Sequence, residues 1–214
     1  MTRTWHDLNR LLQRIPDDRI YPPITSSIST VSDTGQENLF IKRPKLLCLD
    51  NEEETKLLPQ MLLEEAEVLE FLKQHQHPNL IRYHGCTTNR GRITGIALDK
   101  YEVILQYRYE DVPHDLDIAT CMNGIRAGVE HLHSLGFAHN DINPTNIALD
   151  SKDTPIILDF GSCKKFGEEL LSGGTYGWID DDYSLSDRCH DHSAMDKIEA
   201  WLTKKKDTKA KECV

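Results

Sequence analysis

No glycine occurs in the first 34 residues of this 214-residue chain, and after Gly35 the next is Gly85. No glycine-rich loop therefore lies ahead of the stretch Leu39-Phe40-Ile41-Lys42, and Thr25-Ser26-Ser27 is a poor source of the positive φ and close backbone approach that such a loop provides. Six cysteines, at 48, 86, 121, 163, 189 and 213, include no C-x-x-C pair. That excludes a zinc ribbon or a disulfide framework and fits a reducing compartment. No run approaches the about eighteen apolar residues of a membrane span, and the start lacks the apolar core of a secretory signal. Positive charge is also short: 25 Lys and Arg stand against 35 Asp and Glu, a net charge of −10. No nucleic-acid or membrane partner is expected from such a balance, and the expected location is intracellular, cytoplasmic. Lys204-Lys205-Lys206, with Lys209 and Lys211, leaves the nucleus open.

Periodicity supplies the elements. Leu8, Leu11, Leu12 and Ile15 predict a short helix over 7–15 that stops before Pro16. Ile28–Val31 reads as a strand, Asp33-Thr34-Gly35-Gln36 as a turn and Leu39-Phe40-Ile41-Lys42 as a second strand, giving a hairpin that delivers Lys42. Leu62, Ala66, Leu69 and Leu72 predict a helix from Pro59 to Lys73. Strands are expected at Leu80–Tyr83, Ile93–Leu98 and Val103–Tyr107. A long helix over Leu116–Leu135 carries Ile118, Met122, Ile125, Val129 and Leu132 on one stripe and ends before Gly136.

The chemistry concentrates in two loops, His139-Asn140-Asp141-Ile142-Asn143-Pro144-Thr145-Asn146 and Asp159-Phe160-Gly161. Asn146 follows Asp141 by five positions and Asp159 follows it by eighteen. Singly, each is an ordinary turn sequence in which Asp and Asn bond their own backbone. In this order, each beside an apolar run (Ile147-Ala148-Leu149; Ile156-Ile157-Leu158), they gather three oxygen-bearing side chains suited to a hydroxyl and Mg²⁺, the pattern of a phosphoryl-transfer site.

On these residues the chain resembles the eukaryotic protein kinases, and most closely short, divergent protein-kinase-like proteins of fungi with a truncated C-lobe. The resemblance implies an α+β, bilobal fold: a helical arm at 1–19, a sheet-plus-helix N-lobe at 20–107, a mainly helical, shortened C-lobe at 108–204 and a basic tail at 205–214. Leu39-Phe40-Ile41-Lys42 resembles the V-A-I-K strand, Glu65 the helix glutamate paired with that lysine, and His77-Pro78-Asn79 the H-P-N run. Gly174-Thr175-Tyr176-Gly177-Trp178 is similar to the end of an activation loop, and Asp191 to the acid of the anchoring helix.

The implied activity is ATP- and Mg²⁺-dependent transfer of the γ-phosphate to a hydroxyl, of the serine/threonine type. Asp141 would be the catalytic base, Lys42 and Glu65 the phosphate-neutralising pair, and Asn146 and Asp159 the metal ligands. Asn143 would join the catalytic group in place of a lysine, and Asn140 replaces an arginine that receives a loop phosphate. Leu105 is expected as gatekeeper, Gln106 with Tyr107 as the start of the hinge and Arg108 beyond it, with Phe40 and Ala148 as ceiling and floor of the base pocket. Phe40 shares the strand face of Lys42, so it either seats the base lower or packs on Ala148 and closes the pocket. His139 is expected to pack with Phe160, Leu69 and Tyr83 and not to move protons. A kinase-shaped scaffold with impaired nucleotide binding and a small-molecule kinase are the alternatives. The acceptor is a protein or small-molecule hydroxyl, and a partner chain could complete the C-lobe.

Overall fold

In the computed structural model, which describes residues 15–32, 39–46, 51–111, 115–180 and 182–212, small antiparallel sheets and helices form a mixed α+β arrangement. The helix expected over 7–15, apart from its last residue, and the turn at 33–36 lie outside these residues. In the first half, β1 (Leu39–Lys42), β2 (Tyr83–Asn89) and β3 (Arg92–Asp99) form a sheet of order β1-β3-β2. Arg90 and Gly91, at φ 50° and 74°, turn β2 into β3; two positive φ values suit the right-handed twist of a two-residue hairpin. Helix α1 (Glu52–Lys73) packs Leu62, Ala66, Leu69 and Leu72 into the core beside this sheet.

The second half holds β4 (Val103–Ile104), the short α2 (Arg108–Asp111), α3 (Ile118–Ser134), β5 (Phe137–Ala138), β6 (Ile147–Leu149), β7 (Pro155–Ile157), β8 (Lys164–Lys165) and α4 (Arg188–Glu212). Asp117 caps α3 by accepting from Thr120 N at 3.2 Å. At its other end Gly136, at φ 85°, takes the left-handed conformation that lets the chain leave for β5. Met122, Ile125, Val129 and Leu132 of α3 meet Ala194, Met195, Ile198 and Leu202 of α4 in one buried cluster that also contains Leu62 and Leu69. The halves are stitched by Ile81 N donating to Ile157 O (2.9 Å) and Ile157 N to Asn79 O (2.8 Å). Among the described residues no helix is long and apolar enough to cross a membrane.

Four local expectations are corrected. Ile28–Val31 is not a strand paired with β1; it makes one bridge, Thr30 to Cys86, along β2 at the opposite edge of the sheet. Helix α1 begins seven residues before Pro59, so the proline sits inside the helix and not in its first turn, where its missing N–H would have cost least. The strand expected at Leu80–Tyr83 starts at Tyr83 and continues to Asn89, with Leu80 making a single bridge to Ile157. Val103–Tyr107 is strand only at its first two residues; Leu105–Tyr107 turns as a 3-10 helix into α2.

Candidate active site

Lys42, at the end of β1, reaches Glu65 of α1 (2.6 and 2.7 Å) and Asp159 Oδ1 (2.7 Å). One ammonium is thus shared by two carboxylates. Burial alone would lower the Lys42 ammonium, but Glu65 and Asp159 outweigh it and hold the group above the ordinary lysine value. Burial would likewise raise Asp159, and the Lys42 charge holds it below the usual aspartate value instead. Glu65 goes the other way: its desolvation outweighs Lys42 and lifts its carboxyl. Glu65 also accepts from Phe160 N at 3.1 Å, which ties α1 to the Asp159-Phe160-Gly161 loop. Asp159 itself sits at φ 56°, ψ 81°, a left-handed conformation that costs an L-residue about 1–2 kcal/mol and is held by these contacts.

Asp141 and Asn146 form the second group. Asn146 Nδ2 donates to Asp141 Oδ2 (2.9 Å) and Asp141 O (3.0 Å). Asp141 Oδ1 accepts from Thr175 N (2.8 Å), Thr175 Oγ1 (2.7 Å) and Asn143 Nδ2 (3.1 Å). Asn143 Oδ1 meanwhile caps Thr145 N (2.9 Å), so Asn143 braces both the acid and the turn that delivers Asn146.

Beneath them the loop is fixed by buried polar groups. Asp191 of α4 accepts from His139 N and Asn140 N, both at 2.8 Å. Asn140, buried at φ 63°, donates from Nδ2 to Ala138 O, Ser162 O and Ser186 Oγ at 2.9–3.0 Å and accepts from Tyr183 OH on its backbone oxygen. His139 lies edge-on to Phe160, with ring centroids 5.2 Å apart, and Phe160 belongs to the cluster that also buries Leu69 and Tyr83. Its Nε2 bonds Leu158 O (2.9 Å) while Nδ1 accepts from Asp141 N (3.3 Å), so both ring nitrogens are spent on structure.

A cavity of about 320 Å³ opens beside Lys42 and Asp159, lined by Phe40, Ile81, Leu98, Tyr101, Ile104 and Leu158 as well as Thr145 and Asn146. A larger one, about 610 Å³, lies on the other side of Lys42 and Asp159 against α1 and residues 171–173, with Asp141 on its wall. Phe40 shares the first cavity with Lys42, as the strand period requires, but is 53% exposed and stands at its wall without closing it. Ala148 is fully buried between Ile104 and Ile156 and does not line the cavity. Leu105, Gln106 and Arg108 do not line it either. Leu105 is in the core, and Arg108 is buried in a two-pronged pair with Asp153 (2.9 and 2.7 Å). The expected gatekeeper and hinge positions lie too far along the chain: β2 carries His84, Gly85, Thr87, Thr88 and Asn89, which read as loop, so its strand is expected too early, and the chain beside the cavity is the end of β3 and residues 99–101. Leu98, Asp99 and Tyr101 are the positions that sequence reasoning missed, and the Arg90-Gly91 turn was the signal for them.

The oxygen donors suit a hard divalent cation: the Asp159 carboxylate and the Asn146 amide line the same cavity, and Asn146 spends its nitrogen on Asp141, which leaves its oxygen as the available donor. Comparison with known proteins gives the same direction. The chain matches the protein kinase domain over residues 32–179. It belongs to that family.

Kinase relatives share stretches of about half this chain. The sensor for unfolded proteins in the ER ire1 of Schizosaccharomyces pombe is 29% identical over 139 residues, covering 54% of this chain and 13% of that protein. The human serine/threonine-protein kinase/endoribonuclease IRE2 is 33% identical over 128 residues (53% and 14%). Serine/threonine-protein kinase Tao of Drosophila melanogaster is 36% identical over 101 residues (44% and 9%). This chain therefore spans only 9% to 14% of the length of these three relatives.

Proposed function

We propose that this protein kinase domain is a working phosphotransferase of the serine/threonine type, its two halves acting as the two lobes around the cleft. The observation that carries this reading is the joint placement of Lys42, Glu65 and Asp159 in one ion-paired group and of Asp141 and Asn146 in another, on one pair of adjoining cavities. ATP would lie with its base against Phe40, Leu98, Tyr101 and Leu158 and its phosphates toward Lys42. Mg²⁺ held by Asp159 and Asn146 would supply charge neutralisation at the phosphates. Asp141, pinned by Thr175, Asn143 and Asn146, would accept or orient the acceptor's hydroxyl proton. Glu65 would keep Lys42 extended into the cleft, and His139 would hold Asp141 in place without moving a proton. Support for the serine/threonine type comes from the named relatives and from the D-x-N-P-x-N form of the loop.

The acceptor would be a protein hydroxyl, in keeping with the family; a small-molecule hydroxyl remains the narrower alternative. A kinase-shaped scaffold with little turnover is the second reading, favoured by the missing glycine-rich loop and by Asn143 where a cation would aid transfer. The two are separated by mixing purified protein with Mg-ATP and a mixture of protein substrates and following phosphate transfer. Transfer that disappears in Asp141→Ala supports the enzyme; no transfer together with no Mg-ATP binding supports the scaffold.

A further inference from the structure

Residues 20–31 run along the β2 edge of the sheet, past the β2–β3 turn, and take no part in the site described above. Ile93 N donates to Pro22 O (2.9 Å), Ile24 N to Gly91 O (3.0 Å), Cys86 N to Ser29 O (2.8 Å) and Val31 N to Cys86 O (3.0 Å). Ile20 and Ile28 are buried, and Tyr21 and Ile24 pack against the core. Gly85, at φ 146°, permits the approach: a Cβ there would lie 2.9 Å from Ser29 O.

Where this strap is fastened to β2 it also grips α1. Ser29 N donates to Glu70 Oε2 (2.9 Å), and Ser29 Oγ reaches both Glu70 oxygens (2.9 and 2.7 Å). Lys73 Nζ adds a bond to Ser29 Oγ (2.8 Å) and one to His84 O of β2 (3.3 Å). Glu70 follows Glu65 by five residues, which at 3.6 residues per turn is about 140° round the helix. The helix is therefore held to one sheet from two sides, by Lys42 of β1 on Glu65 and by Ser29 beside β2 on Glu70. Slippage of α1 at the second tie would draw Glu65 away from Lys42 and from the Phe160 amide.

We infer that Ser29 and Glu70 are positioning residues for the phosphotransfer: the strap clamps α1 from within the chain, so that Glu65 keeps Lys42 and the Asp159-Phe160-Gly161 loop in register. The effect on rate rests on the proposed function; the clamp itself does not. The test is amide exchange followed by NMR on the full chain in Ser29→Ala, Glu70→Ala and Ser29→Thr, read at Phe160 and, as a reference, at buried residues of α3. The clamp predicts about tenfold faster exchange at Phe160 in Glu70→Ala, a smaller acceleration in Ser29→Ala, which keeps the backbone N–H on Glu70, unchanged α3 protection and wild-type behaviour when Thr restores the hydroxyl. With nucleotide, KM for Mg-ATP should rise about tenfold in Glu70→Ala and less in Ser29→Ala, while kcat falls less than KM rises. Unchanged Phe160 exchange in the alanine variants overturns the inference, as does equal acceleration in α3, which would mean general loss of stability. Because exchange needs no nucleotide, a protein with the clamp signature and no phosphate transfer would refute the enzyme reading alone.

Discussion

The two walls of the cleft are built differently. On the lower wall, Asp141, Asn146, Asn143 and Asn140 are each held by several hydrogen bonds, and Asp191 fixes the backbone beneath them. The upper wall is a three-stranded sheet in which β1 is an edge strand among the described residues, with Phe40 half exposed beside Lys42. The side chains proposed to handle a hydroxyl and a metal are held by many hydrogen bonds, whereas the surface proposed to seat a nucleotide's base and phosphates is thinner. The lower wall keeps its polar side chains tied even where Asn140 and Asn143 depart from the family pattern.

The sharpest way to break that contrast is to remove the groups on which the lower wall depends. Asp141→Ala should lower transfer by about 10²–10⁴-fold while Mg-ATP still binds, as seen by steady-state rates alongside calorimetry. Asn140→Ala should act on stability: three buried acceptors lose their donor at a left-handed position, and about 3 kcal/mol of unfolding free energy should be lost in a denaturant titration. Asn143→Lys is expected to raise kcat about tenfold by adding a cation near the transferring group. Its cost is the cap on Thr145, about 1 kcal/mol in the same titration. Phe40→Ala probes the upper wall, and should weaken nucleotide binding by about 1 kcal/mol, because an exposed ring at the wall contributes contact. Tighter binding would mean that Phe40 obstructs the cavity.

A pH dependence gives the smallest effect. Lys42 holds Asp159 below its unfolded value, so the stabilisation is full above the ordinary aspartate range and is lost as pH falls through the lowered value. Asp159→Asn should therefore flatten the acid limb of a melting-temperature profile below about pH 4. An identical limb in both proteins would show that the Lys42 contact is not felt.

The same division governs what the sequence made legible. The lower wall was readable because its residues are close in sequence and each type is demanded by a backbone or metal-ligand role: Asp141 with Asn146, Asp159 with Gly161. The Lys42–Glu65 contact was expected from the resemblance of their strand and helix to the family's, the patterning placing only the elements that carry them. The cavity wall was not. β2 buries Tyr83 and then Gly85, Cys86 and Thr87 in succession while showing Gly, Thr and Asn, so it lacks a strand period, and placing that strand too early went with an expected lining of Leu105 and Gln106 in place of Leu98 and Tyr101. The strap at 20–31 escaped for a related reason: Ser29 acts through Glu70 and Gly85, partners too distant in sequence for any local period to signal.

If the protein works as proposed, the lower wall and Asp159 serve a bound nucleotide through Mg²⁺. Calorimetric titration of ATP into the protein with and without Mg²⁺, repeated on Asp159→Ala, tests it most directly. Binding should require Mg²⁺ and be lost in the variant; no binding at millimolar Mg-ATP, or binding indifferent to Asp159, would rule out a nucleotide-serving site.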